Sequence, residues 1–181
     1  MRAGGSILAV FAVLAGLVAS GSGSVAAPVS PNTPADSCET GLRFSEGDGD
    51  AAMGLRVVSI KVFNCGTQPV EFNGYPQIKL FDEEKQPLTV EILDGSGGIS
   101  QVDGFDDPPV PFTLQPGETA KSAFMWKNRN TSGEPSQNAR YLDIAAAPGG
   151  TWQALEPFPP DTRVFIDLGD TGRLGVKAWH K

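Results

Sequence analysis

Apolar residues recur with a period of two in short runs along much of the chain, and turn-forming residues separate these runs. The run Leu55–Asn64 is apolar on both faces, with Val58 and Ile60 on one side and Val57 on the other. A run that is apolar on both faces is typical of a strand inside a sheet. The sequence therefore predicts a central strand here.

Eight further runs are shorter, and several alternate apolar with polar positions, as half-buried strands do. Between two of them, Pro116 and Gly117 favour a tight turn, because Pro fixes φ and Gly accepts the left-handed conformation. These eight predicted strands are 70–72, 77–81, 89–93, 111–114, 119–126, 141–145, 163–168 and 174–179. About nine short strands predict an all-β fold, specifically an immunoglobulin-like two-sheet β-sandwich.

The first 26 residues have the pattern of a cleaved export signal. Arg2 supplies a positive start, residues 7–18 are mostly apolar, and small residues follow. We expect cleavage after Ala26, with the segment 19–21 as the alternative. The apolar run is shorter than the roughly 18 residues of a membrane-spanning helix, so we expect no transmembrane segment after cleavage.

Cleavage would leave 155 of the 181 residues, which suits one domain with its own core. Residues 27–37 contain three prolines and few apolar side chains, and are predicted to be a disordered spacer. Residues 38–181 then form the β-sandwich domain. The predicted location is extracytoplasmic, either secreted or in the cell envelope.

The net charge of −7 becomes −8 when Arg2 is removed. This balance argues against nucleic acid as a partner, because such binding relies on Lys and Arg to displace counterions from phosphates. It also argues against docking on an anionic membrane surface. An acidic balance keeps a secreted protein soluble.

Cys38 and Cys65 are the only two cysteines. Both lie in the exported part, where oxidising conditions let a disulfide persist, and two thiols permit one intramolecular pairing. We therefore predict a structural Cys38–Cys65 disulfide rather than a redox or catalytic pair, which would show two-residue spacing or a cationic partner.

The sequence predicts no catalytic residue and no enzyme activity. His180 is the only histidine and lies one residue from the chain end, where we expect it to be exposed and mobile. Asp103, Asp106 and Asp107 lie close together, but nearness in sequence does not set the carboxylate separation that glycoside hydrolysis requires.

Glu46, Asp48 and Asp50 alternate with glycines, as in the first half of a calcium-binding loop. The position of the closing bidentate glutamate is occupied by Val57. Two interpretations remain open, a cation site and a solvated acidic turn, and we predict no metal site and no cofactor.

Three long loops, 94–110, 127–138 and 148–161, separate the predicted strands. Phe105 lies in the first of them, and Trp152 and Phe158 lie in the third. Loop aromatics at the end of a sandwich form recognition surfaces, or they fold back onto the core. Phe105, Trp152 and Phe158 are thus the candidate interaction surface.

Two stretches carry a resemblance to a known family. One runs from Asn64-Cys65-Gly66 to Gly74-Tyr75-Pro76, and the other is the Pro116-Gly117 turn before a strand ending at Trp126. Their order resembles the actinobacterial exported domain-of-unknown-function family numbered 4232, over most of the mature chain. The family commonly has a Cys where Val70 stands and often a second later pair, which this chain lacks. The resemblance implies an architecture and an extracytoplasmic address, and no activity.

The function expected from the sequence is a non-catalytic interaction module of the bacterial cell envelope, with an unknown envelope protein or wall component as partner. A second hypothesis is a small-ligand or saccharide binder that uses the loop aromatics. A third is a hydrolase of unrecognised type. Partner identity and oligomeric state stay open.

Overall fold

The computed structural model describes Cys38 and residues 40–133, 135–160 and 162–181. The chain divides into two units, Met1–Thr33 and Pro34–Lys181, and all the described residues belong to the second. The predicted signal peptide (1–26) and spacer (27–37) lie outside the described residues.

The described residues contain strands and turns and no helix. The twelve strands are β1 (Leu42–Ala52), β2 (Leu55–Asn64), β3 (Val70–Phe72), β4 (Gln77–Phe81), β5 (Glu91–Asp94), β6 (Phe112–Leu114), β7 (Thr119–Lys127), β8 (Gln137–Ala139), β9 (Tyr141–Ala145), β10 (Gln153–Ala154), β11 (Ile166–Gly169) and β12 (Arg173–Val176). The predicted all-β fold is confirmed, and three strands, β1, β8 and β10, exceed the nine expected.

Five strands form the largest sheet, in the order β1-β2-β7-β12-β5. Strand β2 lies between β1 and β7, so its prediction as an interior strand is confirmed. Strand β5 pairs parallel with β12, whereas the other pairs of strands are antiparallel. Three small sheets, β10-β9-β4, β11-β8 and β3-β6, supply the facing layer.

The main core lies between these layers, and the sheets pack as a sandwich. The alternation seen in the sequence explains which side chains enter it, because successive residues of a strand point to opposite faces. Ile60 and Val62 of β2 are fully buried, and Leu80 of β4 and Ile144 of β9 enter from the facing layer.

A second, smaller core lies on the outer face of the five-stranded sheet. Val57 of β2 and Met125 of β7 point outward there, and the loop after β5 covers them with Ile99 and Phe105. Asp106 holds this loop in place, since its carboxylate accepts hydrogen bonds from Ser96 N at 2.5 Å and Ser96 Oγ at 2.8 Å. These two bonds lower the pKa of Asp106, with the backbone bond as the larger cause.

Near the start of the domain, a disulfide joins Cys38 and Cys65, whose Cα atoms are 5.6 Å apart. This separation is in the usual range for the bond. The disulfide ties the entry of β1 to the turn after β2, and Gly66 N donates to Gly41 O beside it. The closed loop contributes about 3 to 4 kcal/mol in the chain-entropy model.

Candidate functional site

The structure separates the three aromatics predicted as one surface. Phe105 is 2% exposed and belongs to the second core, so its prediction as a surface residue is wrong. The physical reason is that β2 and β7 present apolar side chains on their outer face, and Phe105 removes them from water. Trp152 and Phe158 are 40% and 55% exposed, and they remain candidates.

The acidic residues considered for calcium lie on a strand and not in a turn. Glu46, Asp48 and Asp50 belong to β1, which pairs with β2 through a bulge between Glu46 and Gly49. Asp48 and Asp50 are exposed, while Glu46 is half-buried and accepts a hydrogen bond from Phe158 N at 3.0 Å. Among the described residues, no three His, Cys, Asp or Glu side chains come together as a metal site.

His180 is not a mobile terminal residue. Its backbone N and O bond to Lys121 of β7 at 2.9 and 2.8 Å, and the residue is half-buried. The expectation of a frayed chain end was wrong because the C-terminal segment continues the pairing of β12 along β7. The imidazole Nδ1 lies 3.2 Å from Ala178 O.

A groove of about 490 Å³ runs beside β9 on the small-sheet layer. Cross-strand partners Phe81 and Tyr141 bring two aromatic rings to it from β4 and β9. The chain segment that follows β10 forms the other side of the groove. We call it the β9 groove, and its apolar lining is Phe81, Tyr141, Leu142, Ala154, Leu155, Pro157 and Val164.

The other described residues that line the β9 groove are polar. They are three cationic side chains, one carboxylate and Thr162. The cations are Lys85, Arg140 and Arg163, and the carboxylate is Asp143. Lys85 Nζ lies 5.1 Å and Arg163 Cζ 5.7 Å from the centre of the Tyr141 ring. This local excess of positive charge contrasts with the chain's net charge of −7.

Both exposed aromatics from the sequence prediction flank the β9 groove. Phe158 follows Pro157, which lines it. Trp152 precedes β10 and packs against Lys79, whose Nζ is 4.0 Å from the ring centre. Lys79 pairs in register with Asp143 of the lining.

Sequence reasoning missed Arg140, Tyr141 and Phe165 as site residues. Arg140 Cζ lies 4.3 Å from the centre of the Phe165 ring, and this ring is 49% exposed. The available signal was the alternation of β9, which places Tyr141 on the opposite face from the buried Leu142. Arg140 lies next to Phe165 because of long-range packing, and this proximity has no local signal in the sequence.

The half-buried Glu46 should make stability depend on pH. Burial raises its pKa, and the hydrogen bond from Phe158 N partly opposes this. A carboxyl whose pKa is higher in the folded state stabilises the fold below its unfolded pKa, and this contribution is lost as pH rises through the folded pKa. We expect Glu46→Gln, which stays neutral, to gain stability relative to the parent as pH rises from about 4 to 7.

Thermal melts of Glu46→Gln and the parent across this pH range check the prediction. Asp48→Asn, an exposed change on the same strand, controls for the removal of one negative charge. A stability difference for Glu46→Gln that stays constant with pH would show that the folded protein does not perturb this carboxyl.

The fold and the groove define a disulfide-linked β-sandwich domain with an aromatic and cationic surface groove. The model of the family described as "Domain of unknown function (DUF4232)" matches residues 38–180. The chain belongs to this family, and the predicted resemblance is confirmed. Searches of curated proteins and of solved structures found no match. Among the described residues, no helix has the length and apolar character needed to cross a membrane.

Proposed function

We propose that this domain is a non-catalytic, extracytoplasmic interaction module of the cell envelope, and that it binds an envelope component through the β9 groove. The observation that carries the proposal is the groove itself, where two half-buried aromatic rings and three cations lie beside apolar residues, and where the exposed Trp152 and Phe158 flank the lining. Recognition sites commonly combine an apolar centre with a few polar groups that set orientation.

Two features support the extracytoplasmic address. Residues 1–26 have the composition of an export signal. The Cys38–Cys65 disulfide fits an oxidising compartment, because such bonds are rare where thiols are kept reduced.

The non-catalytic part of the proposal is supported by the chemistry of the groove. Among the described residues that line it, Asp143 is the single carboxyl group, and there is no imidazole or thiol. Glycoside hydrolysis, the carboxylate chemistry considered from the sequence, uses a pair of carboxyl groups with separate roles. A saccharide or small-ligand binder is the alternative that the same groove accommodates.

Affinity capture from intact cell envelopes tests the proposal, with residues 27–181 as bait. We expect the double variant Trp152→Ala/Phe158→Ala to melt like the parent and to lose at least about thirtyfold in affinity, since interface aromatics contribute about 2 kcal/mol or more. The control is Met53→Ala/Val110→Ala, which removes two exposed apolar side chains from the β1–β2 turn and from the segment before β6, whereas Trp152 and Phe158 flank the β9 groove.

Two outcomes would contradict the proposal. If Trp152→Ala/Phe158→Ala captures the same component as strongly as the control, the binding surface lies elsewhere. If it loses its cooperative melt, the two rings stabilise the fold and do not serve recognition. Phe105→Ala is a useful comparison, because this buried residue should cost about 3 to 5 kcal/mol of stability.

A further inference from the structure

We infer that the β9 groove binds an amphiphilic anion, a ligand with an apolar body and a carboxylate, phosphate or sulfonate head. The inference rests on the proposed function in using the same groove, and it adds the chemistry of the ligand.

The apolar body is indicated by the floor of the groove. Phe81, Tyr141 and Pro157 are half-buried and therefore present apolar surface to the groove, above the buried Leu155 and Val164. A volume of about 490 Å³ falls within the range of about 300 to 1,000 Å³ seen for small-ligand sites. Such a floor gains free energy when it is covered by apolar groups and not by water.

The anionic head is indicated by the cations at the rim. Lys85 and Arg140 form no hydrogen bond or ion pair through their side chains with any described residue, although the chain has 21 Asp and Glu. Arg163 pairs with Glu83 at 2.9 Å, in an exposed contact of small energetic value. Lys85 and Arg140 are therefore the two groove cations whose side-chain hydrogen-bonding capacity is not used by the described residues.

The aromatic rings hold these cations in place. Arg140 stacks over Phe165 and Lys85 over Tyr141, so cation–π attraction limits where each charge can move. The Arg140 guanidinium presents several N–H donors in a planar fork, and this fork matches a carboxylate or phosphate. The cations are thus ordered before the anion arrives, which reduces the entropy lost on binding.

Other ligand classes fit this surface less well. A neutral sugar stacks on an aromatic face, and Lys79 Nζ, 4.0 Å from the centre of the Trp152 ring, occupies one of the two faces that this ring offers. A nucleic acid is a polyanion that extends beyond the groove, so most of its phosphates would meet the acidic remainder of a chain with a net charge of −7. An amphiphilic anion uses both the apolar floor and the unpaired cations.

Titration calorimetry of residues 27–181 with decanoate tests the inference. Decyltrimethylammonium and decanol have the same apolar body with a positive or neutral head, and acetate has the head alone. We expect decanoate to bind at least about tenfold more tightly than each of the three. Binding of decyltrimethylammonium or acetate as strong as that of decanoate would overturn the inference.

A charge-removing variant locates the binding. Lys85→Gln/Arg140→Gln should weaken decanoate at least about tenfold. The matched control is Lys61→Gln/Lys121→Gln, which removes two cations that face each other on β2 and β7, and we expect a change below about twofold. Equal effects of the two double variants, both with normal melts, would overturn the assignment to the β9 groove.

Sedimentation with vesicles distinguishes two sources of the same chemistry. Binding to phosphatidylglycerol vesicles but not phosphatidylcholine vesicles, lost in Lys85→Gln/Arg140→Gln, identifies a lipid headgroup. Decanoate binding without vesicle binding identifies a free anion. If a glutamate-rich peptide binds more tightly than decanoate, the groove serves an acidic protein and the inference fails.

Failure of the inference and failure of the proposed function can be told apart. If no decyl compound binds but envelope capture still depends on Trp152 and Phe158, the surface is right and the ligand chemistry is wrong. If decanoate binds but capture ignores these rings, the ligand chemistry stands and the envelope role fails.

Discussion

Asn64→Ala should lower the free energy of unfolding by about 3 kcal/mol, enough to reduce the melting temperature by about 6 to 12 °C. Asn64 is fully buried at the end of β2. Its side-chain Nδ2 donates to Leu114 O and Gln68 O, each at 2.9 Å, and its Oδ1 accepts from Gly66 N at 3.0 Å. Alanine would leave these three backbone groups without that partner.

Chemical denaturation of a short series separates hydrogen bonding from loss of volume. Asn64→Asp should be worse than Asn64→Ala, because a buried carboxylate cannot donate and would face two carbonyl oxygens. Asn138→Ala, an exposed change on β8, is the matched control and should stay within about 0.5 kcal/mol. A loss below about 1 kcal/mol for Asn64→Ala would mean that water replaces these bonds.

This contact network gives a physical reason for the Asn-x-Gly stretch on which the resemblance rested. Asn64 joins the turn after β2 to the end of β6. Cys65, the middle residue of the Asn-x-Gly stretch, forms the disulfide. Gly117 N bonds Asn64 O at 2.8 Å, so the predicted Pro116-Gly117 turn packs at the same place. Gly117 has φ of +82°, the left-handed conformation that the sequence predicted.

Four strands were predicted with their observed limits. The ranges of β2, β3, β4 and β9 all agree with the predicted ones. In these strands the local pattern and the tertiary burial agree, since the apolar positions of the pattern enter a core and turn residues mark the ends. The sequence alone was sufficient there.

The three missed strands lack that local pattern. Beyond Phe44, strand β1 is acidic and rich in glycine, and it is a strand because β2 offers it a paired edge. Strands β8 and β10 have three and two residues, and their pairing with β11 and β9 comes from long-range packing. Propensity cannot identify strands that neighbouring chain segments impose.

The candidate site was only partly predictable for the same reason. Trp152 and Phe158 were found because large aromatics in a Pro-rich loop stand out. Nothing local distinguishes them from Phe105, which folds onto Met125. The cations of the β9 groove come from separate segments, and their proximity follows from the β4–β9 pairing and from the path of the chain after β10.

The second large effect is expected at Asp167 of β11, which links the two layers of the sandwich. Its Oδ1 accepts from the indole Nε1 of the buried Trp126 at 2.9 Å, and its Oδ2 accepts from Asn128 Nδ2 at 2.5 Å. Arg56 Nη2 lies 3.6 Å from the same Oδ2. Asp167→Ala should lower the free energy of unfolding by about 3 kcal/mol, because it leaves a buried indole N–H without its acceptor and removes the carboxylate that faces the partly buried Arg56 guanidinium.

A double-mutant cycle identifies how much of this loss belongs to the indole. Trp126→Phe removes the N–H donor, so Asp167→Ala should cost less in the Trp126→Phe background than in the parent, with a coupling energy of about 1 kcal/mol. Asp103→Ala, an exposed change in the loop after β5, is the control and should stay within about 0.5 kcal/mol. If the costs of Asp167→Ala are equal in both backgrounds, the carboxylate stabilises the fold through Asn128 and Arg56, and the bond to Trp126 contributes nothing measurable. Under that result Asp167 would join the two layers through Asn128 and Arg56, and the indole ring would contribute by packing alone.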